Sequence, residues 1–356
     1  MNATKTYSFL LLFLFTFSFC SKKEVEEEQT AETYFPSLTT DTWETILPED
    51  LNWNLNKIEE LKTYLSEKNT KSFMVLYNGK IVLEEYFNNH TSTNNWYWAS
   101  AGKTLTATIF GIAQDENLLN INDKVSDFLG IGWTSTTLEQ ENQITCKNLL
   151  SMTSGLDDTL GDAVFADNLK YVANAGTRWA YHNVYVKMQD VVANASNITW
   201  QNYFNTKLSD KIGMNGTWTD LGSLSVYWSN TRSMARFGLL IFANGKWENT
   251  QIVSESFLME ATNTSQNINN SYGYLWWLNG KPNYHLPQTQ VQFNGELIPN
   301  APADMYAALG KNDQKIYVVP SKKLVIIRMG ESAEDSNFAL SNFDNDLWEK
   351  INAVIE

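Results

Sequence analysis

Residues 96–113 read WYWASAGKTLTATIFGIA, and two polar side chains, Ser100 and Lys103, stand three residues apart where an apolar run begins. From Thr104 onward the stretch reads as a buried helix, so Ser100 is expected in its N-terminal turn. A three-residue step on a helix puts both side chains on one face. A serine hydroxyl is a weak nucleophile until a neighbouring base takes its proton. A partly buried lysine, its pKa depressed by desolvation or by another positive group, can be that base. The helix N-terminus adds backbone N–H groups and the positive end of a dipole. The plain alternative makes Ser100 an N-cap and Lys103 a solvated first-turn residue. Ser-x-x-Lys occurs only here in the chain, but the spacing alone does not choose.

Downstream, residues 175–187 read AGTRWAYHNVYVK. Tyr-x-Asn triplets also start at Tyr86 and Tyr203, so Tyr181-x-Asn183 is distinguished only by its setting. An extended segment here would point Trp179, Tyr181 and Asn183 one way and His182 the other. A phenol beside Lys103 can shuttle a proton between nucleophile and leaving group. For His182 a structural or surface role is favoured over a functional one.

Elsewhere the chain is ordinary globular sequence, with 43% hydrophobic and 19% charged residues in 356. Residues 51–69 have helical spacing with Ile58, Leu61 and Leu65 on one face. Two β-rich runs then flank Asn78-Gly79, a hairpin signal. From about Lys103 to Ala243 the pattern is mostly helical. Strands return between Ala301 and Gly330 around a Pro320-Ser321 turn, and an amphipathic helix closes the chain. The expected fold is α/β (α+β): an antiparallel sheet from N- and C-terminal segments, flanked by terminal helices, with a mostly helical second lobe. The sheet lobe is placed at about 50–95 and 300–356, the helical lobe at about 100–260, within one domain over 46–356.

Composition removes several function classes. A formal charge of −14 repels phosphate backbones, so no nucleic-acid partner is expected. Two Cys exclude a disulfide scaffold and a cysteine-rich zinc site. His90, His182 and His285 are widely separated and in no H-x-x-x-H spacing, against a metallohydrolase. Neither a metal nor an organic cofactor is called for. Residues 1–19 read as a signal peptide, one basic residue (Lys5) before an apolar run too short to span a bilayer. At Cys20 the composition switches to SKKEVEEEQT, as in bacterial lipoprotein signals, where the cysteine becomes the lipidated N-terminus. Phe19 departs from the small residue usual there, and a plain secretory signal is the alternative. Residues 20–45 are then a polar tether, expected to be disordered to about Thr40. An exported, membrane-anchored bacterial lipoprotein is implied.

With these segments in order, the chain resembles the serine hydrolases of the class C β-lactamase and penicillin-binding-protein superfamily. The motifs are SAGK at Ser100, LLSMTSGLDD at Leu149, YHN at Tyr181 and a C-terminal strand carrying Gly310. TRSMARFGLLIFANGKW from Thr231 is similar to the branch of 6-aminohexanoate-dimer hydrolases. The resemblance runs from about Asn69 to the end and implies a β-lactamase/transpeptidase-like fold. It implies Ser100 as the acylated nucleophile, Lys103 as its partner, Tyr181 as general base or proton shuttle, and Asn183 holding the substrate's amide or ester. The family's Lys-Thr-Gly or His-x-Gly is replaced by Gly310-Lys311-Asn312. Lys311 partly substitutes for it or faces solvent, and its backbone N–H is the candidate second oxyanion donor beside that of Ser100. Met152 stands where histidine is common, with an effect expected on packing only. The implied substrate is a small ester or amide, with a β-lactamase, a D-Ala carboxypeptidase or a non-catalytic ligand-binding lipoprotein as alternatives. The aromatic segment 272–302 reads either as a lip over the pocket or as a seam between lobes.

Overall fold

The Asn78-Gly79 pair forms the turn its composition asks for, with φ of 47° and 88°. This is the left-handed geometry of a tight hairpin. It joins β1 (Thr70–Tyr77) to β2 (Lys80–Tyr86). Around that hairpin the computed structural model describes Met1 and residues 32–334 and 340–356. The signal segment and Cys20 lie outside the described residues, and no described helix is long and apolar enough to cross a membrane.

The remaining strands that matter for the site are β3 (Trp96–Tyr97), β4 (Gly216–Leu221), β5 (Leu224–Ser229), β6 (Trp277–Leu278), β7 (Tyr306–Gly310), β8 (Gln314–Val319) and β9 (Leu324–Gly330). Four of them join β1 and β2 in one six-stranded antiparallel sheet, in the order β2-β1-β9-β8-β7-β6. The chain's two ends meet in its middle, where Val75 pairs with Ile326. A second sheet, β3-β5-β4, stands apart from it.

Helices cover both faces of the large sheet. The sequence helix over 51–69 is α1 (Leu55–Glu67), with Ile58, Leu61 and Leu65 buried. With α2 (Lys103–Asp115), α3 (Lys187–Ser196), α4 (Thr231–Phe242) and α5 (Asn342–Ile355), it makes up the long helices. Strand side chains alternate between faces. Val325 and Ile327 meet α4 at Gly238, whereas Tyr317 and Arg328 meet Trp348 and Phe343 of α5. α4 therefore belongs to the sheet, although its residues fall within the 100–260 stretch assigned to the helical lobe. Under α5 sits a buried ionic cluster: Lys315 Nζ lies 2.8 Å from Asp344 and 3.1 Å from Asp313.

Thr33 to Glu356 form one compact unit. The expected disorder to about Thr40 does not hold for residues 33–40. Tyr34 N–H donates to the Asn78 carbonyl at 3.1 Å, Pro36 is buried, and Arg236 Nη2 donates to the Ser37 carbonyl at 2.7 Å. The backbone here replaces water contacts with sheet contacts, which polarity of sequence alone does not reveal.

Candidate active site

Ser100 lies in a 3₁₀ turn, Ala99–Gly102, that runs directly into α2 at Lys103. Neither part of the plain alternative holds. The turn has no side-chain cap hydrogen bond, and Lys103 is 1% exposed. Its Nζ donates to Ser100 Oγ at 2.7 Å. Burial pulls the Lys103 amine down to about 7, against a smaller upward pull from the Asp162 carboxylate. The ammonium also lies over two rings, 4.7 Å from the Tyr181 centroid and 4.4 Å from that of Tyr185. Ala99, just before Ser100, has φ of 48°, a left-handed conformation that a Cβ makes costly. That strain sets the aim of the Ser100 turn, and nothing in the sequence signals it.

Tyr181 is half-buried at the cleft wall, and its shielded hydroxyl makes no hydrogen bond of good geometry. Burial pushes the phenol up to about 12, while the nearby Ser100 hydroxyl and Trp277 indole pull it down. Tyr181 stacks on Trp277 at 5.6 Å and meets Tyr272 edge-on at 6.2 Å. The extended alternation expected around it stops early, because Asn183–Val186 wind into a 3₁₀ turn. His182, expected on the opposite side, lines the same cleft as Tyr181 and Asn183, whereas Trp179 does not reach it. His182 Nδ1 accepts the Val184 N–H at 3.3 Å, and burial holds its imidazole down at about 4. It is a neutral structural cap. Asn183 donates to Asp162 Oδ1 at 3.1 Å, a partner that no motif or spacing signals. Met152 does more than pack: its sulfur accepts the His182 N–H at 3.4 Å and its carbonyl the Ala180 N–H at 2.9 Å. The LLSMTSGL loop thus braces the Tyr181 segment from behind.

The strand end β7 closes the other side. A Cβ on Gly310 would stand 2.4 Å from the Trp98 carbonyl and 2.9 Å from the Ala101 nitrogen. Glycine is therefore required by the close approach of β7 to the Ser100 turn. Lys311 follows at the cleft wall. The next two residues, Asn312 and Asp313, are both left-handed (φ of 59° and 58°). Asn312 Nδ2 donates to the Tyr97 hydroxyl at 2.5 Å, and the Asp313 carboxylate is held by Lys315, Ser341 and the Ala333 N–H. The ionic cluster under α5 thereby fixes the turn that carries Lys311. No ring of the aromatic segment from Tyr272 lines the cleft, so the seam and not the aromatic lip is what its rings form. Tyr272, Trp276 and Trp277 are buried in a seam, while Pro287 and Gln288 reach the cleft.

The cleft of about 690 Å³ reaches Ser100, Lys103, Tyr181, Asn183 and Lys311 together, whereas Gly310 acts from behind. An antiparallel sheet with a helical cover, and a serine at a helix start against a buried lysine and phenol, define a serine hydrolase of the β-lactamase and penicillin-binding-protein superfamily. The chain belongs to the beta-lactamase family, whose model, described as Beta-lactamase, matches residues 67–345. An uncharacterised protein of Alkalihalophilus pseudofirmus is 25% identical over 297 residues, covering 72% of this chain and 82% of its own. Among solved structures, a Bacillus anthracis protein provisionally named a 6-aminohexanoate-dimer hydrolase superposes with a TM-score of 0.68. It is 18% identical and covers 91% of this chain and 92% of its own. A beta-lactamase from Mycobacterium bovis gives 0.58 at 18% identity over 83% and 97%. At these identities the two structures speak for the fold.

Proposed function

We propose that this protein hydrolyses a small ester or amide through an acyl-enzyme on Ser100, as an exported protein anchored by lipid on Cys20. The observation that carries the catalytic part is the 2.7 Å contact between Ser100 Oγ and the buried Lys103 amine. With a pKa of about 7, that amine is substantially neutral at physiological pH and can accept the hydroxyl's proton along the same line. Ser100 Oγ then bonds to the substrate carbonyl carbon. The backbone N–H groups of Ser100 and Lys311 stabilise the oxyanion, each worth ~10²–10³ in rate.

Tyr181, held protonated by burial, acts as the proton shuttle rather than as a resting base. It gives its proton to the leaving alcohol or amine as the carbon–leaving-group bond breaks, and regains one from the Lys103 ammonium. Net, the Ser100 proton leaves with the leaving group. In deacylation a water attacks the acyl carbon and one of its protons is relayed through Tyr181 to the neutral Lys103 amine, which returns a proton to the Ser100 oxygen as the acid departs. Activity is expected to rise with pH through about 7 as Lys103 deprotonates.

Gly310-Lys311-Asn312 supports esters over β-lactams, because it supplies no threonine hydroxyl on the site strand for a ligand carboxylate. A hydrogen bond to a charged group is worth roughly 1.5–3 kcal/mol, so one loss weakens recognition about tenfold or more. The test is kcat/KM for short-chain esters, nitrocefin and benzylpenicillin, together with labelling by a fluorophosphonate. Turnover of esters well above β-lactams, with labelling abolished in Ser100→Ala, is expected. A label mapped to another serine would refute the assignment, and equal β-lactam efficiency would make Lys311 a carboxylate anchor.

A further inference from the structure

The β4–β5 hairpin contributes only aliphatic side chains to the cleft, namely Leu221, Leu224 and Val226. Leu224 and Val226 are two residues apart and share a strand face, and Leu221 is the cross-strand partner of Leu224. The alternate residue Tyr227 turns inward and packs on Trp98 and Phe204 in the core, which fixes which face looks out. The hairpin is held at both ends. At its base β5 pairs with β3, Tyr97 opposite Trp228, and the Trp98 N–H donates to the Tyr227 carbonyl at 2.9 Å. At its tip Ser223 Oγ accepts the Val164 N–H at 3.0 Å. Leu221 nevertheless remains 55% exposed, an apolar side chain with no core to fill. Elsewhere the cleft lining is polar, including Asp158, Thr159, Asp162 and Asn183.

We infer that Leu221, Leu224, Val226 and the ring of Tyr97 form a subsite for an unbranched aliphatic acyl chain. The inference rests on the proposed acyl-enzyme mechanism. Tyr181 must reach the leaving group, so the leaving group is assigned to Tyr181. The acyl group, which stays bonded to Ser100, is assigned to the hairpin that is hydrogen-bonded to the strand entering the Ser100 turn. Medium-chain aliphatic esters, rather than acetates or aromatic acyl esters, are the substrate class this wall fits.

Two ester series separate acyl from alcohol: p-nitrophenyl acetate, butanoate and hexanoate, and acetates of ethanol, butanol and hexanol. Covering a methylene contributes up to about fourfold in kcat/KM. The acyl series is expected to climb toward that slope and the alcohol series to stay nearly flat. Leu224→Ser should lower the hexanoate-to-acetate ratio by about tenfold, a ratio independent of the folded fraction. Leu224→Phe should shift the optimum to a shorter acyl chain. A flat acyl series with normal turnover and labelling would overturn the subsite alone, as would variants that alter the alcohol series instead. Absence of both ester turnover and Ser100 labelling would overturn the mechanism and the subsite with it.

Discussion

Replacing Lys103 by methionine should inactivate the protein and at the same time make it more stable, by an amount that depends on pH. Lys103 is fully buried, and its amine falls from 10.5 toward about 7 because burial disfavours the charge. Below about pH 7 both folded and unfolded chains hold the proton, so the full burial cost is present. Between about 7 and 10.5 the unfolded chain holds a proton that the folded one has released, so stability rises with pH through that window. Above 10.5 the cost is gone. At 1.36 kcal/mol per tenfold, the ceiling is roughly 5 kcal/mol. Methionine fills similar volume without a charge, but forfeits the cation contacts with Tyr181 and Tyr185, worth ~0.5–2 kcal/mol. A net gain of about 2–3 kcal/mol at pH 6 is therefore expected, or roughly 5 °C in Tm. It should shrink to near zero by about pH 10. Calorimetry of wild type and Lys103→Met at both pH values measures it. A variant less stable at pH 6, or a difference unchanged by pH, would show that Lys103 is not buried against its charge.

Three further outcomes follow from neighbouring geometry. Tyr181→Phe should lower kcat by ~10²–10⁴. Because the Tyr181 hydroxyl is buried without a good hydrogen bond, the same variant should melt no lower than wild type; a large loss of stability in urea titration would contradict the unpartnered hydroxyl. Gly310→Ala forces a Cβ to 2.4 Å from the Trp98 carbonyl, so β7 must retreat from the Ser100 turn. Activity should fall ~10²-fold or more, as when an oxyanion donor is lost, and a fully active alanine variant would remove Lys311 from that role. Cys20→Ser should release the protein from the membrane fraction and abolish incorporation of a labelled fatty acid. A wild type that is soluble and unlabelled would refute the anchor while leaving the enzyme untouched.

Local chemistry made much of the chain legible in advance. The Asn78-Gly79 turn, the Ile58, Leu61 and Leu65 stripe and the closing helix are determined by neighbours a few residues away, where period and turn propensity act. The Ser100 and Lys103 pair was readable for the same reason, since one helical step sets their separation. Tyr181 was readable from its setting and from the resemblance rather than from its triplet, because two other Tyr-x-Asn triplets compete with it. What the sequence could not decide depends on contacts distant along the chain. Whether Lys103 is a solvated first-turn residue or a buried amine depends on the rings of Tyr181 and Tyr185, some eighty residues away. His182 borders the cleft with its N–H held by the Met152 sulfur, thirty residues upstream. The need for glycine at 310 comes from the Trp98 carbonyl, more than two hundred residues upstream. Pattern within a segment specifies its conformation and its apolar face. Which charge loses its water, and which backbone stands against which, is set when segments from both ends of the chain meet in one sheet.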